Sequence, residues 1–339
     1  MESRELERRP CGASGLDISV LGVGCWAFGG KEGDYWGAQD DNDARSLIAA
    51  CLERGVTYLD VAEAYNDGRS EEALGRILEG RRGEAIIGTK IGPQFCTPSL
   101  IREHCEASLR RLRTDYIDIY MVHWPIREHS VPEAFETLKQ LRDEGKIRVI
   151  GVSNFGVRDL TEAADLVPGI GINQLHYNLL SRGLEAEILP LCRKRNIGVM
   201  TYMSLLQGIL TGKWKTIDEI PPVRTRTRHF RGDRPDSRHG GPGAEEEVIA
   251  ALDGIRAIAT ELGVEMGQLA LGWLAAQPGV TCVLAGARNV AQLESNIQGV
   301  TLKLSDDVLA RLDATTRPVF DKLGSDADYW QSGSNSRIR

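Results

Sequence analysis

Eight apolar runs separated by helix-like segments predict an α/β protein that folds as one closed parallel barrel, a (β/α)8 barrel. Each run is short and often β-branched, and helical spacing follows it, which is the alternation that such barrels require. Several runs are almost continuously apolar, IDIYMV being the clearest, as expected of strands buried on both faces. The predicted strands cover 19–25, 57–61, 85–89, 116–122, 147–152, 171–175, 197–202 and 281–285.

Helical spacing is clearest in three of the connecting segments. Over 98–112 and 289–298, apolar residues recur every three or four positions and so fall on one helix face. The segment 131–144 has a similar stripe and is followed by Gly145, which is typical of a helix that ends there. We expect these helices to surround the barrel.

Length and charge limit the class of protein. The chain has 339 residues, of which 42% are hydrophobic, enough for one barrel domain spanning 1–339. Its net charge of −7 disfavours bulk attraction to nucleic acid or to anionic membranes. No apolar run reaches the roughly 18 residues of a membrane span, and the charged start MESRELERRP lacks the apolar core of a secretory leader. We therefore predict a cytoplasmic protein.

Cysteines and histidines give no sign of a metal site. The seven cysteines are scattered, form no CxxC motif and mostly sit in apolar runs, which is typical of core residues in a reducing compartment. The six histidines include no HExxH pair. We predict no bound metal.

Two segments depart from the barrel rhythm. The stretch 212–243 is rich in arginine and has no clear period, and it forms most of a long loop over 205–245 after the seventh predicted strand. Loops of this length are usually functional or disordered, and this one should lie at the active face; an ordinary solvated loop is the alternative. The tail, 317–339, contains Tyr329 and Trp330, and its aromatic residues favour docking, closing the active face, over disorder.

Four residues stand where a carbonyl-reducing site would need them. Asp60, Lys90 and His123 each end a predicted strand, and Tyr65 follows in the loop after the first of these. Because side chains at the carboxyl ends of barrel strands converge on one face, we expect the four to meet.

The chemistry of this set suits hydride transfer to a carbonyl. Such a transfer leaves charge on oxygen, and the hydroxyl of Tyr65 could supply the proton although its ordinary pKa is about 10. We expect the ammonium of Lys90 to lower the pKa of Tyr65, with Asp60 holding Lys90. His123 could donate a hydrogen bond that polarises the carbonyl.

The pattern resembles the aldo-keto reductase superfamily, (β/α)8 enzymes that use NADP(H) or NAD(H). The resemblance covers roughly residues 15 to 300 and includes members similar to potassium-channel β subunits. It rests on motifs that occur in the family's order, namely GVGCWAFGG, YLDVAEAYNDGRSEEALG, IIGTK, VHWP, GVSNF, NQLHYNLL, LLQGILTGKW, ALGWL and LAGARNVAQLESNI. GVGCWA also fits the Rossmann phosphate fingerprint, but no helix pattern follows it, so we reject that interpretation.

The resemblance implies a set of nicotinamide contacts at the strand ends. Ser153, Asn154 and Gln174 would hold the carboxamide, and Tyr202 would stack on the ring. Turn formation by Ser and Asn is the structural alternative. Met203 and Ser204 depart from the family's usual Ser-Pro after the tyrosine. The family's other matching positions on this side are Gly24, Cys25, Trp26, Leu205, Gln207 and Gly208.

The resemblance also implies a phosphate site at the last barrel helix. Helix N-termini favour phosphates, and Arg288 beside this one could bind a phosphate with two parallel hydrogen bonds. Gly286, Gln292 and Asn296 match the family's adenosine and 2′-phosphate contacts, which favours NADP(H). Ser295 stands where the family often has Glu.

We therefore predict an NADP(H)-dependent oxidoreductase that acts on an aldehyde, ketone or sugar, with Tyr65 as the acid–base group. A channel-β-like regulatory subunit and a barrel enzyme without nicotinamide are the alternatives. The predicted partner is a small carbonyl substrate, with neither nucleic acid nor a membrane. The substrate pocket would be lined by Trp26, Tyr65, His123, Trp124 and Trp330; core packing is the alternative for Trp26.

Overall fold

The computed structural model describes residues 6–339 and confirms the predicted barrel. Eight strands close into a barrel in chain order, and every neighbouring pair is parallel. Residues 1–5 begin the charged segment that argued against a leader and lie outside the described residues. No helix in the described part of the chain is long and apolar enough to cross a membrane.

The strand bounds lie close to the predicted ones. A short hairpin of β1 (Arg8–Pro10) and β2 (Asp17–Ser19) precedes the barrel. The barrel strands are β3 (Leu21–Gly24), β4 (Tyr58–Asp60), β5 (Ile86–Ile91), β6 (Ile117–Val122), β7 (Ile147–Ser153), β8 (Ile172–His176), β9 (Gly198–Tyr202) and β10 (Val280–Ala285).

Helices surround these strands. Each of the first six connections contributes one helix, the β9–β10 connection contributes two, and two more follow β10. Their bounds are α1 (Asp41–Glu53), α2 (Arg69–Ile77), α3 (Pro98–Leu112), α4 (Val131–Asp143), α5 (Val157–Leu166), α6 (Ile188–Lys194), α7 (Glu245–Leu262), α8 (Met266–Ala276), α9 (Val290–Thr301) and α10 (Asp306–Leu323).

The hairpin was not predicted, because strands of three residues carry too little pattern. It places Ile18, which is fully buried, in the same apolar cluster as Ile119 and Ile172 from the barrel strands. Tyr58 fills this cluster next to Gly88, where an added Cβ would come within 1.9 Å of the Tyr58 hydroxyl oxygen. A glycine at that position is therefore required for the large ring to fit inside the barrel.

The segment after β9 is irregular but anchored. It contains three 3-10 turns, Leu206–Thr211, Ile217–Glu219 and Pro222–Arg224, before α7 begins. Arg228 donates to the carbonyl oxygens of Leu323 and Asp326, at 2.6 and 3.1 Å. Hydrogen bonds from arginine side chains thus hold this segment in place, whereas the helices and strands are held by periodic apolar packing.

The tail packs back onto the barrel. The predicted start at 317 falls inside α10, so the irregular part begins after Leu323. Tyr329 is buried, and its ring stacks on His229 at 5.0 Å and lies 4.8 Å from His176. Asp328 is fully buried and accepts two hydrogen bonds from the Arg337 guanidinium, each at 2.8 Å.

The histidines under the tail should make the fold sensitive to acid. Burial lowers the pKa of His229 to about 4 and the pKa of His176 well below its usual value. In the unfolded chain both imidazoles bind protons below about pH 6.5, so the unfolded state gains more protons and the free energy of unfolding falls as the pH drops from about 6.5. His229→Gln should reduce that slope by up to ~1.4 kcal/mol per pH unit. Urea unfolding between pH 7 and 5 measures both slopes, and equal slopes would contradict the assignment.

Candidate active site

The structure brings the four predicted catalytic residues together. The Lys90 ammonium lies 2.8 Å from the Asp60 carboxylate and 3.4 Å from the Tyr65 hydroxyl. Asp60 ends β4 and Lys90 lies next to the end of β5. His123 directly follows β6, and its ring is 5.9 Å from the Tyr65 ring at a steep angle. A phenol, an ammonium and an imidazole therefore lie together at the carboxyl ends of the barrel strands.

An unusual turn directs Tyr65 toward Lys90. The next three residues all have positive φ, at 51° for Asn66, 55° for Asp67 and 82° for Gly68. Two of them are not glycine, so the conformation costs energy that surrounding contacts must offset. The Asn66 amide supplies such contacts, donating to the carbonyl oxygens of Trp26 and Phe28 at 2.8 and 3.0 Å.

Lys90 and Asp60 form a buried ion pair. Lys90 is fully buried and Asp60 is 3% exposed. Burial lowers the pKa of Lys90, and the Asp60 carboxylate opposes that shift. The second Asp60 oxygen accepts from the Gln174 amide at 2.8 Å and from the Tyr58 hydroxyl at 3.4 Å. The contact from Gln174 had no sequence signal, because it joins residues 114 positions apart.

The expectation that Lys90 lowers the pKa of Tyr65 is wrong. Burial raises the pKa of Tyr65 well above its usual value, and the negative charge of Asp60 adds to this effect. The sequence argument considered the ammonium but not the loss of water around the phenol. Tyr65 therefore keeps its proton at neutral pH and is available as a hydrogen-bond or proton donor.

His123 is neutral at physiological pH. Burial, with a smaller contribution from the Lys90 charge, lowers the pKa of His123 to about 3. Its backbone is fixed on both sides, since its N–H donates to Ile91 and its carbonyl accepts from the Asn154 amide at 3.1 Å. A neutral imidazole in this position can donate one hydrogen bond without adding a charge to the site.

Polar groups predicted to hold a carboxamide lie beside this volume. The Asn154 side chain donates to the Ser153 hydroxyl at 3.0 Å and accepts from the Tyr202 hydroxyl at 2.7 Å. The amide nitrogen of Gln174 is engaged by Asp60 and by the Met200 sulfur. The structure thus groups Ser153, Asn154 and Tyr202 as predicted, and gives Gln174 an additional supporting contact.

A stack of aromatic rings leads outward from Tyr65. Trp26 lies parallel to Tyr65 at 4.9 Å between centroids, and Tyr35 lies parallel to Trp26 at 5.2 Å. Trp36 meets Trp26 edge-on at 6.1 Å. Sequence reasoning found Trp26 but missed Tyr35 and Trp36, although the aromatic pair in FGGKEGDYWG was a visible signal.

The predicted phosphate site lies around Arg288, at the start of the last barrel helix. Arg288 is exposed, and its guanidinium donates to the carbonyl oxygens of Trp36 and Ala38. Within residues 6–339 no carboxylate pairs with it at 4.0 Å or less. Gln292 accepts from the Arg288 backbone N–H at 2.8 Å, and Asn296 donates to the Gly286 carbonyl at 3.3 Å.

The first turn after β9 has an unusual backbone conformation. Gln207 and Gly208 both have positive φ, 56° and 92°, directly after Leu205 and Leu206. Arg224 fixes this turn by donating to the Gln207 carbonyl at 2.7 Å. The side-chain oxygen of Gln207 is buried and has no hydrogen-bond partner among residues 6–339. A buried acceptor without a partner is a place where a bound group can supply a donor.

The tail supplies the remaining predicted pocket residues. The Trp330 ring lies 6.2 Å from the His176 ring, which in turn lies 5.4 Å from the Tyr202 ring. Trp124 is half-buried beside His123, and the Arg337 guanidinium stacks on its ring at 3.8 Å. Trp26, Trp124 and Trp330 therefore all lie next to members of the site. Within residues 6–339, His, Cys, Asp and Glu side chains form no group of three that could hold a metal ion.

Comparison with known proteins gives a consistent result. The model of the Aldo/keto reductase family matches residues 20–317. Aldo-keto reductase YhdN of Bacillus subtilis is 36% identical over 310 residues, covering 86% of this chain and 89% of that protein. The NADH-specific methylglyoxal reductase of Escherichia coli is 32% identical over 330 residues, with 89% and 95% covered. A probable voltage-gated potassium channel subunit beta of Arabidopsis thaliana is 32% identical over 311 residues, with 87% and 91% covered.

Solved structures agree with the sequence relatives. The crystal structure of an aldo-keto reductase from Klebsiella pneumoniae in complex with NADPH superimposes with a TM-score of 0.72 at 26% identity. The match covers 98% of this chain and 99% of that one.

Proposed function

This chain belongs to the aldo/keto reductase family, and on that basis we propose that it transfers a hydride between NADP(H) and the carbonyl of an aldehyde, ketone or sugar, with Tyr65 as the acid–base group. The observation that carries the proposal is the contact of one buried ammonium, Lys90, with both the Asp60 carboxylate and the Tyr65 hydroxyl. Membership of the family indicates oxidoreduction as the general class of activity. The cofactor and the roles of the residues are our proposal.

The residues present fit a nicotinamide dinucleotide. Ser153 and Asn154 offer a hydroxyl and an amide at one end, and Tyr202 offers a ring face beside them. At the other end Arg288 offers a guanidinium that pairs with backbone carbonyls and, among residues 6–339, with no carboxylate. The buried side-chain oxygen of Gln207 has no donor within the same residues and could accept one from the cofactor. Bound NADPH would supply the hydride; the NADPH complex of the Klebsiella relative supports this choice.

Proton movement is assigned to the chain's own groups. In reduction, Tyr65 gives its proton to the substrate oxygen as a C–H bond forms at the carbonyl carbon. The phenolate that remains is stabilised by the Lys90 ammonium 3.4 Å away. The neutral His123 orients the carbonyl by donating a hydrogen bond to its oxygen. In oxidation the same groups act in reverse, with Tyr65 accepting the proton.

The loop 205–245 and the tail 317–339 are proposed to cover the reaction from the two sides. Arg224 and Gln207 would contact the cofactor, whereas Trp330 would contact the substrate. These segments join each other through Arg228, whose backbone N–H donates to the Tyr329 carbonyl at 2.8 Å. A cover built from linked segments excludes water from the hydride path.

A channel-associated subunit is the second candidate, because a potassium-channel β subunit is among the relatives. The two functions differ in what the purified protein does alone. Turnover of a carbonyl panel, followed by loss of NADPH absorbance, supports the enzyme; absence of turnover together with co-purification of a membrane channel supports the subunit.

Replacing the phenol should remove the chemistry and keep the cofactor. Tyr65→Phe deletes only the hydroxyl, so NADPH affinity should stay near the wild-type value while kcat falls ~10²–10⁴-fold. Tyr116→Phe is the matched control, since Tyr116 directly precedes β6, at the opposite end of the strand from His123, and its ring packs against Arg82 and Arg148. Single-turnover kinetics with NADPH measure the chemical step. A wild-type rate in Tyr65→Phe would remove this residue from the acid–base role.

Arg288 should decide between the two nicotinamide dinucleotides. A charge-assisted hydrogen bond to a phosphate contributes ~1.5–3 kcal/mol. Arg288→Ala should therefore weaken NADPH binding roughly ten- to a hundredfold and barely change NADH binding, which lacks the 2′-phosphate. Fluorescence titrations with both cofactors provide the measurement, and Arg288→Lys tests whether charge alone suffices. Equal losses for NADPH and NADH, or a wild type that prefers NADH, would contradict the assignment.

A further inference from the structure

Arg226 differs from its neighbours in the arginine-rich segment. Arg228 is bonded to backbone oxygens of the tail, and Arg231 and Arg234 both pair with Glu245. Arg226, by contrast, has no carboxylate within 4.0 Å among residues 6–339. Its guanidinium contacts aromatic rings instead, which leaves its positive charge uncompensated.

The donors of Arg226 are also unused. Its Nε is buried and its hydrogen has no acceptor within the described residues, 6–339. Its two terminal nitrogens donate to no other residue in the part of the chain that the structure describes. Leaving a buried donor unpaired costs free energy, and a guanidinium presents a planar fork that matches the two oxygens of a carboxylate or phosphate. The Arg226 guanidinium can therefore donate hydrogen bonds to an anionic oxygen group without giving up existing ones.

The position of Arg226 links it to the reaction centre. Its guanidinium carbon lies 5.0 Å from the Tyr35 ring and 5.9 Å from the Trp330 ring. Tyr35 is two stacked rings away from Tyr65, through Trp26. Trp330 lies on the side of Tyr202, since both of these rings pack near the His176 ring, at 6.2 and 5.4 Å. Arg226 thus bridges the two aromatic walls that enclose the proposed substrate volume.

The surrounding charges do not cancel that of Arg226. Asp328, the buried carboxylate next to Trp330, is already neutralised by two hydrogen bonds from Arg337. Asp326 is engaged by Arg228 and by the Ser336 hydroxyl. The chain as a whole carries a net charge of −7, so an anion is attracted here by local charge and not by the overall field.

We propose that Arg226 binds a carboxylate or phosphate group remote from the reacting carbonyl, so that the preferred substrates are anionic aldehydes, ketones or sugar phosphates. The inference rests on the proposed oxidoreductase function and narrows its substrate class. The aromatic walls hold the body of the substrate, Tyr65 and His123 face the carbonyl, and Arg226 fixes the charged end.

The cofactor phosphates are the competing occupant. Arg224 and Arg288 are better placed to bind the cofactor phosphates, because Arg224 fixes the turn at Gln207 and Arg288 lies beside the first turn of α9. Arg226 instead contacts Trp330 of the tail, on the side proposed for the substrate. The two occupants predict different losses in an Arg226 variant.

Matched substrates that differ only in charge provide the test. The pairs are 4-carboxybenzaldehyde with methyl 4-formylbenzoate, and glyceraldehyde 3-phosphate with glyceraldehyde. In the wild type, kcat/KM should favour the anionic member of at least one pair, and the two pairs separate carboxylate from phosphate recognition. Arg226→Gln should reduce that anionic-to-neutral ratio roughly ten- to a hundredfold, mainly through KM. Arg231→Gln, with the same charge change on an exposed side chain of the same segment, should keep the wild-type ratio.

A binding measurement keeps the inference testable without turnover. Calorimetry with 4-carbamoylbenzoate and its methyl ester, with and without NADP⁺, reports anion binding directly. If no aldehyde is reduced, the proposed function fails; carboxylate binding that Arg226→Gln abolishes would still support the anion site, and binding unchanged by the variant would overturn it. If aldehydes are reduced with the same ratio in wild type and Arg226→Gln, the function stands and the anion site is overturned. A loss of NADPH affinity in Arg226→Gln at an unchanged ratio also overturns it and assigns the residue to the cofactor.

Discussion

The buried ion pair between Lys90 and Asp60 is the constraint on which the site depends. A fully buried ammonium is tolerated only with a partner at hydrogen-bond distance, and removing one member of such a pair typically costs 3–5 kcal/mol. The pair spans adjacent strands, and Gln174 reaches Asp60 from across the barrel. The closed barrel therefore supplies the hydrogen-bond partners that allow these two charges to be buried away from water. The ion pair in turn fixes the relative positions of the strand ends. The same burial raises the pKa of Tyr65 and lowers the pKa of His123, so that Tyr65 stays protonated and His123 stays neutral.

The outer shell of the site is organised by aromatic rings and arginines. Stacking connects Tyr65 to Trp26 and Tyr35, and arginines lie over the outer rings. These contacts connect the strand ends to loops that have no helical or strand pattern of their own and hold the loops in place. The loop after β9 and the tail are thereby held near Tyr65 and His123, on a rigid scaffold of the kind that positions binding loops in many proteins.

The sequence predicted those parts of the molecule that depend on local pattern. Strand positions follow from apolar runs, and convergence of Asp60, Lys90 and His123 follows from strand ends in a barrel. It did not predict the hairpin at β1 and β2, whose strands are too short to carry a period. The pKa direction of Tyr65 was missed because burial is a property of the whole fold. The partners of the loop arginines were missed because they lie far along the chain, as Leu323 does from Arg228.

The spacing of three arginines has a consequence for how such a protein can diverge. Arg224, Arg226 and Arg228 occur at every second position. Arg224 contacts the turn at Gln207, Arg226 the rings of Tyr35 and Trp330, and Arg228 the backbone of the tail. One short stretch of backbone thus sets three separate surfaces. A one-residue insertion or deletion within it would misplace all three at once, whereas length changes near 235–240 leave the spacing of the three arginines unchanged. Diversification of substrate range in this lineage is therefore expected to proceed by substitution within 224–228 and by length variation only outside it.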